Sequence, residues 1–193
     1  MIYTSVSNHY SQVLYANAHP SVSHVSPGFI PVFGHSLKLL RKLVYSSTAQ
    51  PFIISGSGTL GWDQVGSNLL EPGENALVIN TGYFGDEFGN CLSVYGGNVD
   101  HLKSDVGKTV SIDKLQSALK QKQYKLVTLT HVDTSTGVLS DIETVARVVK
   151  QIQPDCLVVL DGVCSVGSEL IKFDDWKIDV GVDSTRGIAN MTM

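Results

Sequence analysis

The stretch 125–161, "KLVTLTHVDTSTGVLSDIETVARVVKQIQPDCLVVLD", decides the fold class. Two apolar runs, 124–130 and 155–161, flank a polar loop and a segment with helical periodicity. Each run is continuous rather than alternating, which is typical of strands buried on both faces of a parallel sheet. The stretch therefore predicts a strand, a helix over 141–152 capped by Ser140, and a second strand.

The same order of elements extends upstream. The predicted strands are 51–55, 75–80 and 98–103, and the predicted helices are 37–46, 59–70, 83–96 and 112–122, the first capped by Ser36 and the last by Ser111. Alternation of apolar strands with helices predicts an α/β fold, with a mainly parallel sheet covered by helices on both faces.

Composition limits the classes of function. The chain has 193 residues, of which 42% are hydrophobic, enough for one globular domain with a sizeable core. Its net charge of -4 shows no basic excess, which argues against a nucleic-acid partner. Its three cysteines form no CxxC pair, so a metal site or a disulfide scaffold has little support.

Localisation is only broadly indicated. No apolar stretch approaches membrane-spanning length, so we expect no membrane partner. Residues 1–27 lack the basic start and apolar centre of a secretory signal. We expect an intracellular protein, with peroxisome, mitochondrion and cytoplasm left open.

Small polar residues cluster at the ends of four predicted strands. The clusters are 55–59, 80–85, 130–137 and 161–165. In sheets of this kind ligands bind beyond the carboxyl ends of the strands. The four clusters therefore predict one shared site.

The first cluster, "SGSGT" at 55–59, has two interpretations. Its glycines allow close approach, and the hydroxyls of Ser57 and Thr59 add donors, so it could hold a phosphate at a helix start. Its spacing is neither GxGxxG nor GxxxxGK[ST], which excludes a dinucleotide fingerprint or a P-loop. An ordinary strand–helix turn is the alternative.

The other clusters are equally ambiguous when each is taken alone. Asp161 could pair with a protonated ring nitrogen or act as a loop carboxylate. Phe84, beside two glycines, could lie over a flat ligand or be a core aromatic. Thr134 could contact a ligand or form a turn, and His131 could carry a proton or be structural.

Together the motifs resemble a known family. "ISGSGTLGWD", "EPGENALVINTGYFGDEF", "THVDTSTGVLSDIETVA", "LVVLDGVCSVG" and "FDDWKIDV" are similar to the alanine–glyoxylate/serine–pyruvate aminotransferases, especially fungal ones, over about 23–180. The resemblance implies a class V, fold-type I, pyridoxal phosphate enzyme that is usually a homodimer. Its substrates would be small amino acids and 2-oxo acids, with the amino group moving from alanine or serine to glyoxylate.

The resemblance also assigns roles to individual residues. Ser57, Gly58 and Thr59 correspond to the phosphate cradle of pyridoxal phosphate. The remaining cofactor-binding positions surround the pyridine ring: a stacked aromatic at Phe84, a hydroxyl contact at Thr134, the carboxylate that pairs with the ring nitrogen at Asp161, and a small apolar residue under the ring at Val163.

The resemblance ends before the family's catalytic lysine. Family members continue into Ser-Gln-Lys, whereas 179–193 read "DVGVDSTRGIANMTM", with no lysine after Lys177. No catalytic residue and no metal ligand is therefore assigned. We expect a lead-in at 1–30, a partial cofactor-binding large domain at 31–180 and a divergent tail at 181–193, without the family's C-terminal small domain.

This departure leaves alternatives for function. A chain without the lysine is expected to be inactive alone. It could instead be a noncatalytic fragment that retains a pyridoxal phosphate cradle or a dimer surface, or the product of an incomplete gene model. Whether it forms the family's homodimer stays open.

Overall fold

A computed structural model describes Tyr15 and residues 18–184. The helices are α1 Phe29–Leu43, α2 Gly58–Leu69, α3 Tyr83–Val94, α4 Ile112–Gln121 and α5 Ile142–Ile152. The strands are β1 Asn75–Asn80, β2 Asn98–Lys103, β3 Leu126–Thr130, β4 Val132–Asp133, β5 Val138–Leu139, β6 Leu157–Asp161 and β7 Val180–Val182. The predicted tail lies mostly outside the described residues.

Five strands form one parallel sheet. Their order is β2-β1-β3-β6-β7, and every neighbouring pair is parallel. The register pairs Thr130 at the end of β3 with Asp161 at the end of β6. Strands β4 and β5 form a separate antiparallel pair within the predicted loop after β3. The predicted α/β class is confirmed.

Helices cover both faces of this sheet because side chains of a strand alternate between faces. One face packs on α4 and α5, through Leu77, Ile79, Val127, Leu129, Val158 and Leu160 of the sheet. The other packs on α2 and α3, through Ala76, Val78, Leu126 and Val159. On this second face the rings of Trp62 and Phe88 stack with centroids 5.2 Å apart.

Two helices, α4 and α5, begin at a side-chain cap, and one of these caps lies one residue away from its predicted position. Ser111 caps α4 as predicted, accepting from the backbone N–H of Lys114. The cap of α5 is Asp141 rather than Ser140, because the Asp141 carboxylate accepts the backbone N–H of Thr144 at 3.0 Å. Ser140 is buried one position earlier.

Helix α1 begins earlier than the sequence predicts. It starts at Phe29, and Ser36 lies inside it, where its hydroxyl donates to the carbonyl of Val32. The prediction of a Ser36 cap is wrong because the hydroxyl bonds back along an existing helix. No residue of α1 is buried. Among the described residues, no helix is long and apolar enough to cross a membrane.

The predicted strand at 51–55 does not form. The segment pairs with no strand of the described sheet, and Phe52 and Ile54 are 80% and 54% exposed. An apolar run becomes a strand only where a partner edge accepts its backbone hydrogen bonds. Local sequence does not contain that information.

One carboxylate ties the segment after α1 to the rest of the domain. Asp174 accepts the hydroxyl of Ser46 at 2.6 Å and the backbone N–H of Ser47 at 2.8 Å. The hydrogen bonds from Ser46 and Ser47 hold the pKa of Asp174 below its usual value. Nearby, the backbone N–H of Phe173 donates to the carbonyl of Val44.

Two substitutions in α3 test the core between the sheet and the α2–α3 pair. Phe88→Ala should lower the free energy of unfolding by about 3–5 kcal/mol, because it empties a fully buried ring position. Val94→Ala, in the same helix at a site 84% exposed, should change it by no more than about 0.5 kcal/mol. Urea unfolding measures both, and equal losses would contradict the described packing.

Candidate functional site

The four polar clusters meet at the carboxyl edge of the sheet. Strand β1 leads into 80–85, β3 into 130–137 and β6 into 161–165, while 55–59 forms the start of α2. Because these strands are parallel, their carboxyl ends share one edge. Two groups of contacts between the clusters join them into one site.

Asp161 is the centre of the first group of contacts. Its side chain is 4% exposed and accepts two hydrogen bonds. The indole N–H of Trp62 donates to Oδ2 at 3.0 Å, and the backbone N–H of Val163 donates to Oδ1 at 3.1 Å. The Trp62 contact connects the end of β6 directly to helix α2.

The charge of Asp161 has no cationic partner among the described residues. Its hydrogen-bond donors are neutral. Burial raises the pKa of Asp161; the hydrogen bonds from Val163 and Trp62 oppose that rise, and the nearby charge of Asp133 adds to it. A buried carboxylate of this kind is stabilised by a cation placed beside it.

The start of α2 lies next to this carboxylate. Ser57 and Thr59 are exposed, and their hydroxyl oxygens lie 2.5 Å apart. A Cβ on Gly58 would lie 3.0 Å from Cγ2 of Val163, so the helix start packs closely on the loop after β6. The first turn of α2 carries no acidic residue. An exposed helix N-terminus with adjacent hydroxyls attracts anions.

A second group of contacts joins the clusters after β1 and β3. The hydroxyl of Ser135 accepts the backbone N–H of Tyr83 at 2.9 Å. The hydroxyl of Thr136 donates to the carbonyl of Thr81 at 2.9 Å. The start of α3, which carries Phe84, is thus fixed on the loop that carries Thr134.

Phe84 and Thr134 differ in exposure. Phe84 is partly buried against the core on the α2–α3 face, as is Val163, and its ring meets that of Tyr83 edge-on at 5.4 Å. Thr134 is exposed and lies near Cys164 in the loop after β6: burial raises the pKa of the Cys164 thiol, and the Thr134 hydroxyl opposes that rise. This proximity brings the second group next to the first.

His131 lies behind the site. It is 4% exposed, and burial lowers its pKa. Its backbone N–H donates to the carbonyl of Asp161 at 2.9 Å, and its carbonyl accepts the N–H of Ser140. Burial of the ring favours the structural interpretation of this histidine over the proton carrier, and its Nδ1 has no hydrogen-bond partner among the described residues.

Three residues of this edge are not assigned to the site from the sequence, although Ser135 is one of the hydroxyl residues that could cap, turn or bind a ligand and Asp133 is interpreted as a turn residue. Trp62, Asp133 and Ser135 each take part in contacts that organise the clusters. A tryptophan one turn into the helix after "SGSGT" was the available signal for Trp62, but its partner is 99 residues away. Asp133 and Ser135 have the composition of an ordinary turn, so no signal separated them from their neighbours.

A sequence model of the class-V aminotransferases matches residues 4–188. The chain belongs to the class-V aminotransferase family. Members of this family depend on pyridoxal phosphate and act on amino acids and 2-oxo acids. The resemblance drawn from the sequence motifs is therefore confirmed at the level of family, fold and cofactor class.

Individual relatives agree with the family match. Alanine–glyoxylate aminotransferase 1 of Saccharomyces cerevisiae is 41% identical over 86% of this chain and 45% of its own length. L-Aspartate–glyoxylate aminotransferase of Paracoccus denitrificans is 30% identical over 86% of this chain and 43% of its own. The crystal structure of an alanine–glyoxylate aminotransferase from Nostoc sp. matches with a TM-score of 0.87 at 28% identity, over 93% of this chain and 47% of that one. The chain spans less than half the length of these class-V relatives.

The raised pKa of Asp161 provides a test of the site that needs no ligand. Ionising this carboxyl opposes folding, and the cost is absent below its unfolded-state pKa and grows as the pH rises through the raised folded-state value. Asp161→Asn cannot ionise. The melting temperature of the variant relative to the wild-type chain should therefore rise as the pH increases above about 4, the ordinary pKa of an Asp carboxyl, and level off above the raised folded-state pKa of Asp161.

Asp155→Asn is the matched control because Asp155 is exposed in the turn after α5. Its melting temperature relative to wild type should not vary with pH in this way. A pH-independent difference for Asp161→Asn would show that burial of the carboxylate carries no cost.

Proposed function

We propose that this chain is the cofactor-binding part of an aminotransferase that moves an amino group from alanine or serine to glyoxylate. The observation that carries the proposal is the buried Asp161 carboxylate, which has no cationic partner among the described residues and lies beside the start of α2. Pyridoxal phosphate has a cationic ring nitrogen and an anionic phosphate, which match these two features. When bound, it supplies an electron sink for the α-carbon of an amino acid.

The start of α2 would hold the phosphate. Backbone N–H groups of its first turn and the hydroxyls of Ser57 and Thr59 can donate to phosphate oxygens. The missing side chain at Gly58 lets the helix start approach Val163 closely. The phosphate end and one face of the ring would thus be held by residues in mutual contact.

Asp161, Phe84 and Val163 would hold the ring. The carboxylate of Asp161 would accept a hydrogen bond from the protonated ring nitrogen. This contact keeps the nitrogen positively charged and balances the negative charge of the buried carboxylate. Phe84 in the first turn of α3 and Val163 in the loop after β6 both offer apolar surface. Thr134, exposed at the same edge, has a hydroxyl for a polar ring substituent.

The proposed substrates rest on the names of the relatives. The yeast and Nostoc proteins are described as alanine–glyoxylate aminotransferases. Another relative, from Arabidopsis thaliana, is described as a serine–glyoxylate aminotransferase and is 27% identical over 78% of this chain. Glyoxylate as acceptor is common to these names, whereas the amino donor differs.

Lysines on or next to the strands of the sheet are poorly placed for covalent chemistry. Lys177 precedes β7 and so lies at the amino end of the strands, opposite the site. Lys103 ends β2, three strands from β6 or about 14 Å at ordinary strand spacing, and pairs with Asp86 at 2.6 Å. We therefore propose that this chain binds the cofactor without a covalent bond.

Self-association is a further part of this proposal. Helix α1 buries none of its residues and exposes Ile30 and Val32 by 56% and 62%. Apolar surface of this kind is typical of regions that contact another chain. Sedimentation velocity would show whether the chain is a dimer.

Absorbance titration with pyridoxal phosphate tests the function directly. The wild-type chain should show a saturable spectral shift. Asp161→Ala should weaken binding by about tenfold or more, since it removes a charge-assisted hydrogen bond. Asp155→Ala should bind as the wild type does, and pyridoxal without its phosphate should bind more weakly than pyridoxal phosphate.

Borohydride reduction and mass analysis complete the experiment. We expect no stoichiometric adduct at any single lysine. An adduct at one lysine, with turnover of alanine and glyoxylate, would contradict noncovalent binding. Absence of any saturable shift would contradict the proposed function itself.

A further inference from the structure

Asp133 is a second buried carboxylate at this edge, with no part in the proposed cofactor contacts. Its side chain is completely buried, and Oδ1 accepts both the backbone N–H of Ser135 at 3.0 Å and its hydroxyl at 2.6 Å. Within the described residues, Oδ2 has no hydrogen-bond partner. Burying a carboxylate with neutral partners is costly, so an acid at this turn calls for an explanation beyond turn formation.

The two hydrogen bonds of the Ser135 hydroxyl form a directed relay. A carboxylate can only accept, so the hydroxyl proton of Ser135 points to Asp133. Its lone pairs are then available to the backbone N–H of Tyr83, which donates at 2.9 Å. A charged acceptor fixes this orientation more strongly than a neutral one.

The relay ends at the residue before Phe84. Tyr83 is the first residue of α3, and its N–H is one of the groups that a helix start leaves without an internal partner. Ser135 satisfies that group from a different loop, 52 residues away. Holding this N–H fixes the direction in which α3, and with it Phe84, leaves the end of β1.

Gly82 shows how closely the two loops approach. A Cβ at this position would lie 2.8 Å from Cγ of Asp133 and would also overlap the hydroxyl of Ser135. On its other side the N–H of Gly82 donates to Oδ1 of Asn80 at 3.1 Å. The turn is therefore packed against the carboxylate, with no room for a side chain between them.

We propose that Asp133 is a positioning residue for bound pyridoxal phosphate: its carboxylate orients Ser135, and Ser135 holds the Tyr83–Phe84 backbone so that the Phe84 ring faces the cofactor. This inference rests on the proposed function, because it assumes that the cofactor binds between Phe84 and Val163. Asp133 itself need not touch the cofactor.

Three variants separate the parts of the relay. Ser135→Ala keeps the charge of Asp133 but removes the acceptor for Tyr83 N–H. Asp133→Asn removes the charge but keeps an acceptor oxygen for Ser135. It should therefore retain the hydrogen bond that Asp133→Ala loses. Asp133→Ala removes the acceptor altogether.

The rate of amide hydrogen exchange at Tyr83, measured without cofactor, reports whether Ser135 still accepts the hydrogen bond from this amide. Ser135→Ala and Asp133→Ala should both speed exchange of this amide by about fivefold or more, the ratio that corresponds to loss of a ~1 kcal/mol hydrogen bond. Asp133→Asn should stay within about twofold of wild type, because its side-chain oxygen still accepts from Ser135. Unchanged exchange in Ser135→Ala would overturn the relay, whether or not cofactor binds.

Titration with pyridoxal phosphate measures the effect of each variant on cofactor binding. It is carried out on variants whose thermal unfolding remains cooperative. Ser135→Ala should weaken binding by about fivefold and Asp133→Asn should bind nearly as wild type at neutral pH. The charge of Asp133 also acts on Asp161. The acid limb of the binding–pH profile should therefore move to lower pH in Asp133→Asn but not in Ser135→Ala, which separates the charge effect of Asp133 on Asp161 from its hydrogen bond to Ser135.

The outcomes distinguish the two proposals. If the wild-type chain binds and Ser135→Ala binds equally well, the positioning role is wrong and the proposed function stands. If the wild-type chain does not bind, the proposed function is wrong, and the positioning role for cofactor falls with it, while the exchange data still decide whether the relay exists.

Discussion

The parallel pairing of β3 with β6 is the constraint on which the site depends. It places Thr130 beside Asp161, so that both strands turn into their polar loops at the same level. Side chains alternate along a strand, and a slip of one residue would turn Asp161 toward the apolar face of α4 and α5. There it would lose Trp62, which reaches it from α2. One register thus determines both the core and the position of the site's charge.

Much of this fold could be predicted because its signals are local. The predicted strands 75–80 and 98–103 form with the same bounds, and Ser111 caps its helix as expected. The errors occur where local chemistry allows two solutions. Either Ser140 or Asp141 can cap a helix, and the apolar run at 51–55 has strand composition but no neighbouring strand to pair with in the described sheet.

The gathering of the polar clusters was predictable, but their hydrogen bonds were not. Strand ends rich in glycine, serine and threonine indicated that the clusters meet at one edge of the sheet, and the structure has them there. The hydrogen bonds that organise that edge join residues far apart in the chain: Trp62 with Asp161, 99 residues away, and Tyr83 with Ser135, 52 residues away. The periodicity of apolar residues carries no information about such long-range pairs. A single sequence therefore indicates which polar residues lie at the same edge, but not which of them form hydrogen bonds with each other.

Opposite shifts in two carboxyl groups have a consequence for the response of this protein to acid. Burial raises the pKa of Asp161, whereas hydrogen bonds from Ser46 and Ser47 lower the pKa of Asp174. As a solution is acidified, the carboxylate of Asp161 therefore becomes neutral while Asp174, which holds Ser46 and Ser47, is still charged. Acid therefore removes the negative charge of Asp161 before it weakens the hydrogen bonds by which Asp174 holds the segment after α1.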